Sequence, residues 1–305
     1  MDEASSEAMQ KEHFKCPVCY SANILQKKKF EPHNLKQCKD CGVIFESHIP
    51  TNEELEKHYS AYSYSSRKPV SQATQKSFSD LLDKFEPYRQ TNNLLDVGCG
   101  QGDFLIAAKA RGWDVYGSEY SPAAVKLCED SGITMHQGEF LQHTFDGLSV
   151  DILTSFEVLE HTNTPHALLK DPLMRLRSGG LFYLTTPNFN SILRHLEKNR
   201  FRILGYPEHL VIYTPKSLEQ LLKEYPIHRQ LVITTGLDIT RLNAVFFRRK
   251  SKSDTSFDAR QNMADNESIR DLVSSGKGAT LKAGINRLLT FSGTGDTLKA
   301  FYVKN

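Results

Sequence analysis

The sequence predicts an α/β fold with a Rossmann-like, mainly parallel, seven-stranded sheet flanked by helices, preceded by a small cysteine-containing module. From Leu94 onward, short apolar runs alternate with helical patterns of about 10–15 residues, as in βαβ units with parallel strands. Upstream, two CxxC pairs are separated by eighteen residues: Cys16, Cys19, Cys38 and Cys41. This spacing is typical of a tetrahedral Zn²⁺ site, so the module is predicted to be a zinc ribbon.

The same changes in sequence texture divide the chain into segments. We expect a disordered tail at 1–13, a zinc-binding module at 14–48, a helical linker or lid at 49–92 and the main domain at 93–305. A flexible insertion is predicted at 251–278, because its Ser-, Asp- and Lys-rich composition offers little apolar surface to bury.

Composition and charge argue against several classes of partner. The formal net charge is +2, which gives no electrostatic reason to expect nucleic acid. No apolar run approaches the roughly 18 residues of a membrane helix, and the polar N-terminus lacks the apolar region of a secretory signal. We therefore expect a cytoplasmic protein without a membrane span, whose paired cysteines bind metal rather than form disulfides. The oligomeric state is left open.

A glycine-rich turn follows the first strand of the main domain. Leu94–Val97 has the pattern of a buried strand, a helix begins near Phe104, and between them lie Gly98, Gly100 and Gly102. Glycines permit positive φ and close approach of the backbone to a ligand, and the helix N-terminus offers unpaired N–H groups. Such a strand–turn–helix binds a nucleotide-like cofactor at the carboxyl edge of a sheet.

Three acidic residues indicate which cofactor. The third glycine of the dinucleotide fingerprint is replaced by Asp103, and Asp96 at the end of the strand would repel a pyrophosphate. Asp96 would instead suit a cation such as the α-ammonium group of S-adenosylmethionine. Glu119, which lies 23 residues beyond Asp96 at the end of the next strand, can accept hydrogen bonds from both ribose hydroxyls.

These residues closely resemble the first motif and the ribose-binding acid of class I S-adenosylmethionine-dependent methyltransferases, over roughly residues 75–245 and the last strand. The resemblance implies that Glu139 and Phe140 flank the adenine, although Glu139 stands where the family often has Asp. The cofactor-binding residues that it implies are Asp96, Gly98, Cys99, Gly100, Gly102, Glu119, Tyr120, Glu139, Phe140, Phe156 and Glu157.

The segment EVLEH follows the fourth strand of the main domain. If it forms a short helix, Glu157, Glu160 and His161 can share one face. EVLEH resembles the ubiquinone-biosynthesis O-methyltransferases, and in some of these the three side chains are associated with a divalent cation; alternatively, the segment only builds the pocket wall. The Asn/Asp-Pro-Pro-aromatic segment common in enzymes that methylate base amines is missing here, which argues against nucleic-acid N-methylation.

A second acid–histidine motif is YPEH, with Tyr206, Glu208 and His209. It resembles methyltransferases of sugar and polysaccharide biosynthesis, including deoxysugar C-methyltransferases, in which these side chains face the acceptor and the histidine is the general base. Histidine suits proton removal at neutral pH. Alternatively, Glu208 and His209 only cap a junction or contact substrate. The predicted catalytic residues are His209, Glu208, Tyr206 and His161.

The resemblance to sugar methyltransferases implies an acceptor hydroxyl, or less favourably a carbon, of a small molecule such as a sugar or sugar nucleotide. Four cysteine ligands leave no open position, so the zinc is expected to be structural. An N-terminal zinc module also occurs in the deoxysugar enzymes, where it helps to cover the acceptor. The alternative hypothesis is a zinc ribbon that binds nucleic acid or protein, joined to a methyltransferase-like domain acting on a macromolecule.

Overall fold

The structure, a computed structural model, describes most of the chain. The residues described are 12–30, 34–51, 53–55, 69–198, 201, 203, 205–238, 241–242, 245 and 277–305. Most of the predicted tail (1–13) and of the predicted insertion (251–278) lies outside these residues, as does part of the predicted linker, so these expectations stay predictions.

The main domain is built on one seven-stranded sheet. Its strands are β4 (Asn93–Val97), β5 (Asp114–Glu119), β6 (Thr134–Gln137), β7 (Val150–Phe156), β8 (Leu176–Pro187), β10 (Ile227–Thr235) and β11 (Thr297–Lys304). Their order is β10-β11-β8-β7-β4-β5-β6. Strand β11 runs in the direction opposite to the other six strands, so the predicted mainly parallel sheet is confirmed.

Helices cover the sheet and connect its strands. They are α1 (Gln72–Phe85), α2 (Asp103–Ala110), α3 (Pro122–Glu129), α4 (Pro165–Arg175), α5 (Ile192–Glu197), α6 (Pro215–Leu222) and α7 (Lys277–Ser292). Sequence signals mark several of their starts: the side chains of Ser71, Ser121 and Thr214 accept hydrogen bonds from first-turn N–H groups. A proline at the first helical turn follows the cap in α3 and α6.

The sheet topology fixes where a ligand can bind. The chain leaves β4 towards β5 and β6, then crosses back to β7 and β8 on the other side of β4. In open α/β sheets, ligands bind outside the carboxyl ends of the strands at this change of direction. The central strands β4 and β7 are buried on both faces, which explains their continuous apolar sequence.

The cysteine module shares a sheet with the main domain, and its predicted boundaries 14–48 stay a prediction. Its strands β1 (Ile24–Gln26), β2 (Leu35–Cys38) and β3 (Ile44–Glu46) form an antiparallel sheet that is completed by β9 (Val211–Ile212) from the main domain. Cys16, Cys38 and Cys41 belong to the same hydrophobic cluster as residues of the main sheet. The spacing of the cysteines predicted the module, but no local pattern could predict a strand contributed from about 165 residues further along.

A buried carboxylate ties the start of the main sheet together. Asp151, at the beginning of β7, is fully buried. Its Oδ2 accepts hydrogen bonds of 2.8 Å from the N–H groups of Gln90, Thr91 and Asn92, and its Oδ1 lies 2.6 Å from Arg177 Nε. Burial acts to raise the pKa of Asp151, but Arg177 and the three N–H donors together hold it below its usual value.

Replacing Asp151 by Ala should destabilise the fold by about 3 kcal/mol, because it leaves Arg177 and the three part-buried N–H donors of residues 90–92 without their acceptor. Urea unfolding followed by circular dichroism measures this loss. Since the folded-state pKa is depressed, the contribution should be present above the unfolded pKa and be lost as pH falls through the folded value. The exposed Asp80, which is paired with Lys76 one turn away, provides the control. Asp80→Ala should leave the midpoint of urea unfolding unchanged. An equal shift of the midpoint in both variants would contradict the prediction.

Within the described part of the chain, none of the helices has the length and apolar character needed to cross a bilayer.

Candidate functional site

The glycine turn forms the bottom of the candidate cofactor site at the carboxyl end of β4. Gly98, Gly100 and Gly102 all have positive φ, between +54° and +73°. A Cβ on Gly98 would come within 2.5 Å of Val158, and one on Gly102 within 2.7 Å of the Cys128 sulfur, whereas a Cβ on Gly100 would meet nothing within 4 Å. The first and third glycines therefore permit close packing inside the protein, and the second faces open space where a ligand can approach.

Asp96 is the last acidic group before this turn. It is 2% exposed, and its Oδ1 accepts a hydrogen bond of 2.8 Å from the hydroxyl of Thr154 on β7. Burial, with a smaller contribution from the charge of Glu119, raises the pKa of Asp96 to about 7. A buried carboxyl group with a pKa this high is stabilised in its ionised form by a cation placed beside it, so the position suits an ammonium group.

Glu119 ends β5 and faces the same turn. Its Oε2 accepts a hydrogen bond of 3.0 Å from Gly100 N–H, while its Oε1 accepts bonds from the N–H groups of Tyr120 and Ser121 at 2.9 and 3.0 Å. The carboxylate is thereby fixed directly above the glycine turn. Two acceptor oxygens held in this orientation suit a pair of neighbouring hydroxyl groups, as in a ribose.

The other predicted cofactor residues have different surroundings. The Cys99 sulfur fills the space above Gly117, where a Cβ would approach it to 2.9 Å. The Phe156 ring packs at 4.9 Å from that of Phe104. Among the residues predicted near the adenine, Phe140 is buried, whereas Tyr120 and Glu139 are exposed. The interior contacts of Cys99 and Phe156 indicate that they support the site, and their direct contact with cofactor stays a prediction.

The EVLEH segment differs from the predicted single helix. A three-residue 3₁₀ helix spans Leu159–His161, and Glu157 precedes it with a φ of +53°. Because of this backbone turn, the expected i,i+4 relation between Glu157 and His161 does not arise. The prediction that Glu157, Glu160 and His161 share one helical face was therefore wrong, since a strand end that bends sharply into a 3₁₀ turn does not follow α-helical spacing.

His209 takes the place expected for Glu157. One carboxylate oxygen of Glu160 and one ring nitrogen each of His161 and His209 lie within 4.8 Å of one another. The two imidazole rings meet edge to face, with centroids 4.8 Å apart. The structure thus joins the two acid–histidine motifs, which are about fifty residues apart in sequence. Within this cluster, Glu160 is 1% exposed. Burial, followed by the nearby charge of Glu157, raises the pKa of Glu160 well above its usual value.

The orientation of His209 leaves one ring nitrogen for chemistry. Its Nδ1 lies 2.7 Å from the carbonyl oxygen of Ile203, and a carbonyl can only accept, so Nδ1 carries the proton. Nε2 then bears the lone pair, which can take a proton from a substrate or bind a cation. The N–H group of His209 itself donates to Gly205 O at 2.8 Å.

Tyr206 contacts the segment that follows the cysteine module. Its hydroxyl donates to Glu54 Oε1 at 2.9 Å, and its ring lies edge to face with that of His48 at 5.3 Å. Burial and the neighbouring Glu54 carboxylate raise the pKa of Tyr206. Glu208 is half-buried. Of the three YPEH side chains, His209 is the one that joins the Glu160–His161 cluster, whereas Tyr206 is bonded to Glu54.

The four cysteines have the geometry of a metal site. All four sulfurs lie within 4.8 Å of one another; Cys16 and Cys41 are 3.6 Å apart, and Cys19 and Cys38 are 3.5 Å apart. A zinc–sulfur distance of about 2.3 Å gives tetrahedron edges of about 3.8 Å, so the residues fit Zn²⁺. The hydrogen bond between the Cys16 and Cys41 sulfurs lowers the pKa of Cys41 to about 5.

Three features of the site lay beyond sequence reasoning. Thr154 pairs with Asp96 because β7 lies beside β4 in register, and that neighbourhood depends on sheet order. Gly117 is needed because Cys99 packs over it. Glu54 reaches Tyr206 across 152 positions. The strand DVYGSE did offer a signal for Gly117, since a glycine inside a strand often marks close packing.

Comparison with known proteins identifies a matching family. The profile of a family described as a methyltransferase domain matches residues 71–225, just over half of the chain. The matched segment includes the glycine turn, Glu119, the EVLEH segment and His209, but it leaves out the cysteine module.

Curated relatives carry the name ubiquinone biosynthesis O-methyltransferase. The protein from Nitrosomonas europaea is 30% identical over 140 residues, which cover 43% of this chain and 56% of that protein. The one from Parvibaculum lavamentivorans is 27% identical over 162 residues, covering 50% of this chain and 61% of that protein. The chain therefore spans about half the length of the curated relatives it matches.

Solved structures give two further similarities. A S-adenosylmethionine-dependent methyltransferase from Archaeoglobus fulgidus superposes with a TM-score of 0.48 at 19% identity, covering 75% of this chain and 94% of that one. A putative sarcosine dimethylglycine methyltransferase from Galdieria sulphuraria also has a TM-score of 0.48, at 15% identity, covering 76% of this chain and 85% of that one.

Proposed function

The chain belongs to the methyltransferase-domain family, and from this premise we propose that it transfers a methyl group from S-adenosylmethionine to a hydroxyl group of a small molecule. Asp96 would bind the α-ammonium group, Glu119 the ribose hydroxyls, and the turn at Gly100 the body of the cofactor. S-Adenosylmethionine supplies an electrophilic sulfonium methyl, and the remaining chemistry falls to residues of this chain.

His209 is the proposed general base. Methyl transfer is an in-line displacement in which the neutral thioether leaves without an acid, but a hydroxyl group must lose its proton. With Nδ1 held by Ile203 O, Nε2 of His209 can accept that proton, and a carboxyl oxygen of Glu160 lies within 4.8 Å of a ring nitrogen of His209. The names of the curated relatives support oxygen rather than carbon as the acceptor atom.

One contact carries the proposal. Val158 lies in the middle of EVLEH, and it packs so closely on the cofactor turn that a Cβ on Gly98 would come within 2.5 Å of it. Two residues after Val158, Glu160 begins the cluster that contains His209. The predicted cofactor motif and the predicted acceptor motifs therefore adjoin each other, as a direct transfer of the methyl group requires.

The acceptor remains a sugar or sugar nucleotide in our proposal, on the strength of the YPEH resemblance. The alternative, a zinc ribbon that binds nucleic acid or protein, receives less support because the module shares its sheet and core with the main domain.

The test is to incubate the protein with methyl-labelled S-adenosylmethionine and panels of sugar nucleotides, phenols and RNA. Label in a sugar nucleotide supports the proposal, whereas label in a phenol or in RNA overturns the assignment of the acceptor. If calorimetry detects no binding of S-adenosylmethionine, the proposed function as a whole is overturned.

A divalent cation at Glu160, His161 and His209 is the second candidate feature, because these three ligand-type side chains converge. A cation there would lower the pKa of an acceptor hydroxyl, but a cation bound to His209 Nε2 would prevent that atom from taking a proton.

Manganese binding distinguishes these roles. If the cluster is a cation site, Mn²⁺ should lose its free electron paramagnetic resonance signal with wild-type protein and keep it with Glu160→Gln, because that substitution removes the only carboxylate of the set. Glu219→Gln, at an exposed carboxylate on α6, is the matched control and should bind Mn²⁺ like wild type. If the signal of free Mn²⁺ is equally strong with all three proteins, the cluster is not a cation site. His209 then keeps its proposed role as the base.

A further inference from the structure

The strand that follows His209 lies between two parts of the protein. Val211 and Ile212 of β9 pair with Phe45 and Ile44 of β3 in the cysteine module, and Leu210 O accepts a hydrogen bond of 2.8 Å from Glu46 N–H. These bonds hold one edge of the segment that begins directly after His209.

The other edge of the same segment contacts the acceptor side of the main domain. Leu210 N–H donates to Glu160 O at 2.7 Å, and Tyr213 O accepts from Phe189 N–H at 2.8 Å. A single residue, Leu210, is thus hydrogen-bonded through its carbonyl to the module and through its N–H to a member of the Glu160–His161–His209 cluster. The backbone position of His209 consequently depends on both sides.

The position of β3 in turn depends on the cysteine site. Cys38 N–H donates to Val43 O and Gly42 N–H to Cys38 O, each at 3.0 Å, so the second CxxC turn leads directly into β3. Three of the four cysteines are buried in one cluster with Val211 and Tyr213. In the part of the module that the structure describes, the strands are three or four residues long, so a metal that joins both CxxC turns would add a strong constraint on its shape.

Each CxxC turn also docks on the main domain through a backbone carbonyl. Val18 O, inside the first turn, lies 2.9 Å from His166 Nε2 on α4. Asp40 O, inside the second turn, accepts a hydrogen bond of 2.9 Å from Lys216 Nζ on α6. Both carbonyls lie between the two cysteines of their pair, so the direction in which they point is set when the sulfurs converge.

We propose that metal in the four-cysteine site positions His209 for methyl transfer, acting through β3, β9 and Leu210, with His166 and Lys216 as positioning residues. This inference rests on the proposed function. The glycine turn is held differently, by bonds from Gly98 and Cys99 N–H to Ser118 O. Loss of the metal should therefore impair the acceptor side and leave the cofactor side intact.

The experiment compares wild-type protein, Cys38→Ser and Lys39→Ser, the last being an exposed position inside the same CxxC turn. In Cys38→Ser we expect S-adenosylmethionine affinity within about twofold of wild type, and hydrogen exchange at residues 210–213 faster by about tenfold or more because local opening becomes easier. The turnover number should fall by about a hundredfold, as for misplaced catalytic groups. Lys39→Ser should match wild type in all three measurements.

Lys216→Met provides a second variant that keeps all four cysteines. It should retain zinc, measured by metal analysis, yet accelerate exchange at residues 211–213 and lower turnover, because the contacts of Lys216 with Asp40 are lost while the cysteines stay in place. If zinc-free Cys38→Ser keeps protected amides at 210–213 and full turnover, or if Lys216→Met behaves as wild type, the proposal is overturned. Failure of the wild-type protein to bind S-adenosylmethionine would instead refute the proposed function, which separates the two outcomes.

Discussion

Replacing Asp96 by Asn should weaken S-adenosylmethionine binding by about a hundredfold at pH 8 while making the ligand-free protein more stable. Removing one partner of a buried charge pair typically costs a ligand about 2–5 kcal/mol. Asp96 is 2% exposed, and its pKa of about 7 means that burial makes its ionisation costlier than in water. The asparagine keeps an oxygen for the hydroxyl of Thr154 but carries no charge that needs a cation.

The pH dependence follows from the sign of this shift. The folded-state pKa of Asp96 lies above the unfolded value of about 3.9, so the folded protein binds more protons and loses stability as pH rises between the two values. At pH 8 the full cost of ionising Asp96 lowers the stability of the wild-type protein, and the variant has no such cost. The resulting difference in the free energy of unfolding is up to about 4 kcal/mol. Urea unfolding at pH 5 and pH 8 should show wild type losing stability relative to Asp96→Asn.

Titration calorimetry measures the binding side of this prediction. Asp114→Asn, which removes an exposed carboxylate at the opposite end of β5, should bind S-adenosylmethionine normally. Adenosine, which lacks the α-ammonium group, should lose much less affinity than S-adenosylmethionine in Asp96→Asn. If both ligands weaken equally, Asp96 supports the turn and does not bind the ammonium group.

Replacing His209 by Asn should lower the turnover number by about 10²–10⁴-fold, the usual contribution of a general base. The asparagine side-chain amide can still donate to Ile203 O, as Nδ1 does over 2.7 Å, but nothing in it replaces the basic Nε2. S-Adenosylmethionine affinity should stay within about twofold, because the cofactor contacts proposed above belong to β4 and β5.

A pH profile separates a base from a residue that only shapes the pocket. The loss in His209→Asn should shrink as pH rises, because the small ionised fraction of the acceptor hydroxyl increases with pH, whereas a purely structural defect would persist. His228→Asn, at the exposed start of β10, is the matched histidine control and should retain wild-type turnover. Full activity of His209→Asn would remove His209 from its proposed role.

Local sequence patterns were sufficient for the cofactor side of the molecule. Asp96, the three glycines and Glu119 lie at the ends of two neighbouring parallel strands, and their spacing reflects backbone requirements that act over a few residues. The structure places them together as predicted, with positive φ at each glycine and Glu119 bonded to Gly100. The CxxC spacing likewise predicted sulfurs that converge.

The acceptor side could be predicted only as separate pieces. EVLEH and YPEH were recognised as motifs with acid and histidine side chains, but α-helical spacing did not predict that His209 joins Glu160 and His161. Glu157 lies on a bend with φ of +53°, and His209 arrives from a distant loop. Periodicity describes neighbours within one element, so it contains no information about which loops meet at the edge of a sheet.

By itself, therefore, the sequence determined the parallel sheet, the cofactor turn and the four-cysteine cluster, because short-range steric and bonding requirements define each of them. The tertiary structure alone decided that Thr154 bonds Asp96, that His209 joins Glu160 and His161, and that β9 completes the sheet of the cysteine module. These contacts link residues 48 to about 165 positions apart. They depend on sheet order and on burial of the shared core, which only the whole folded chain establishes.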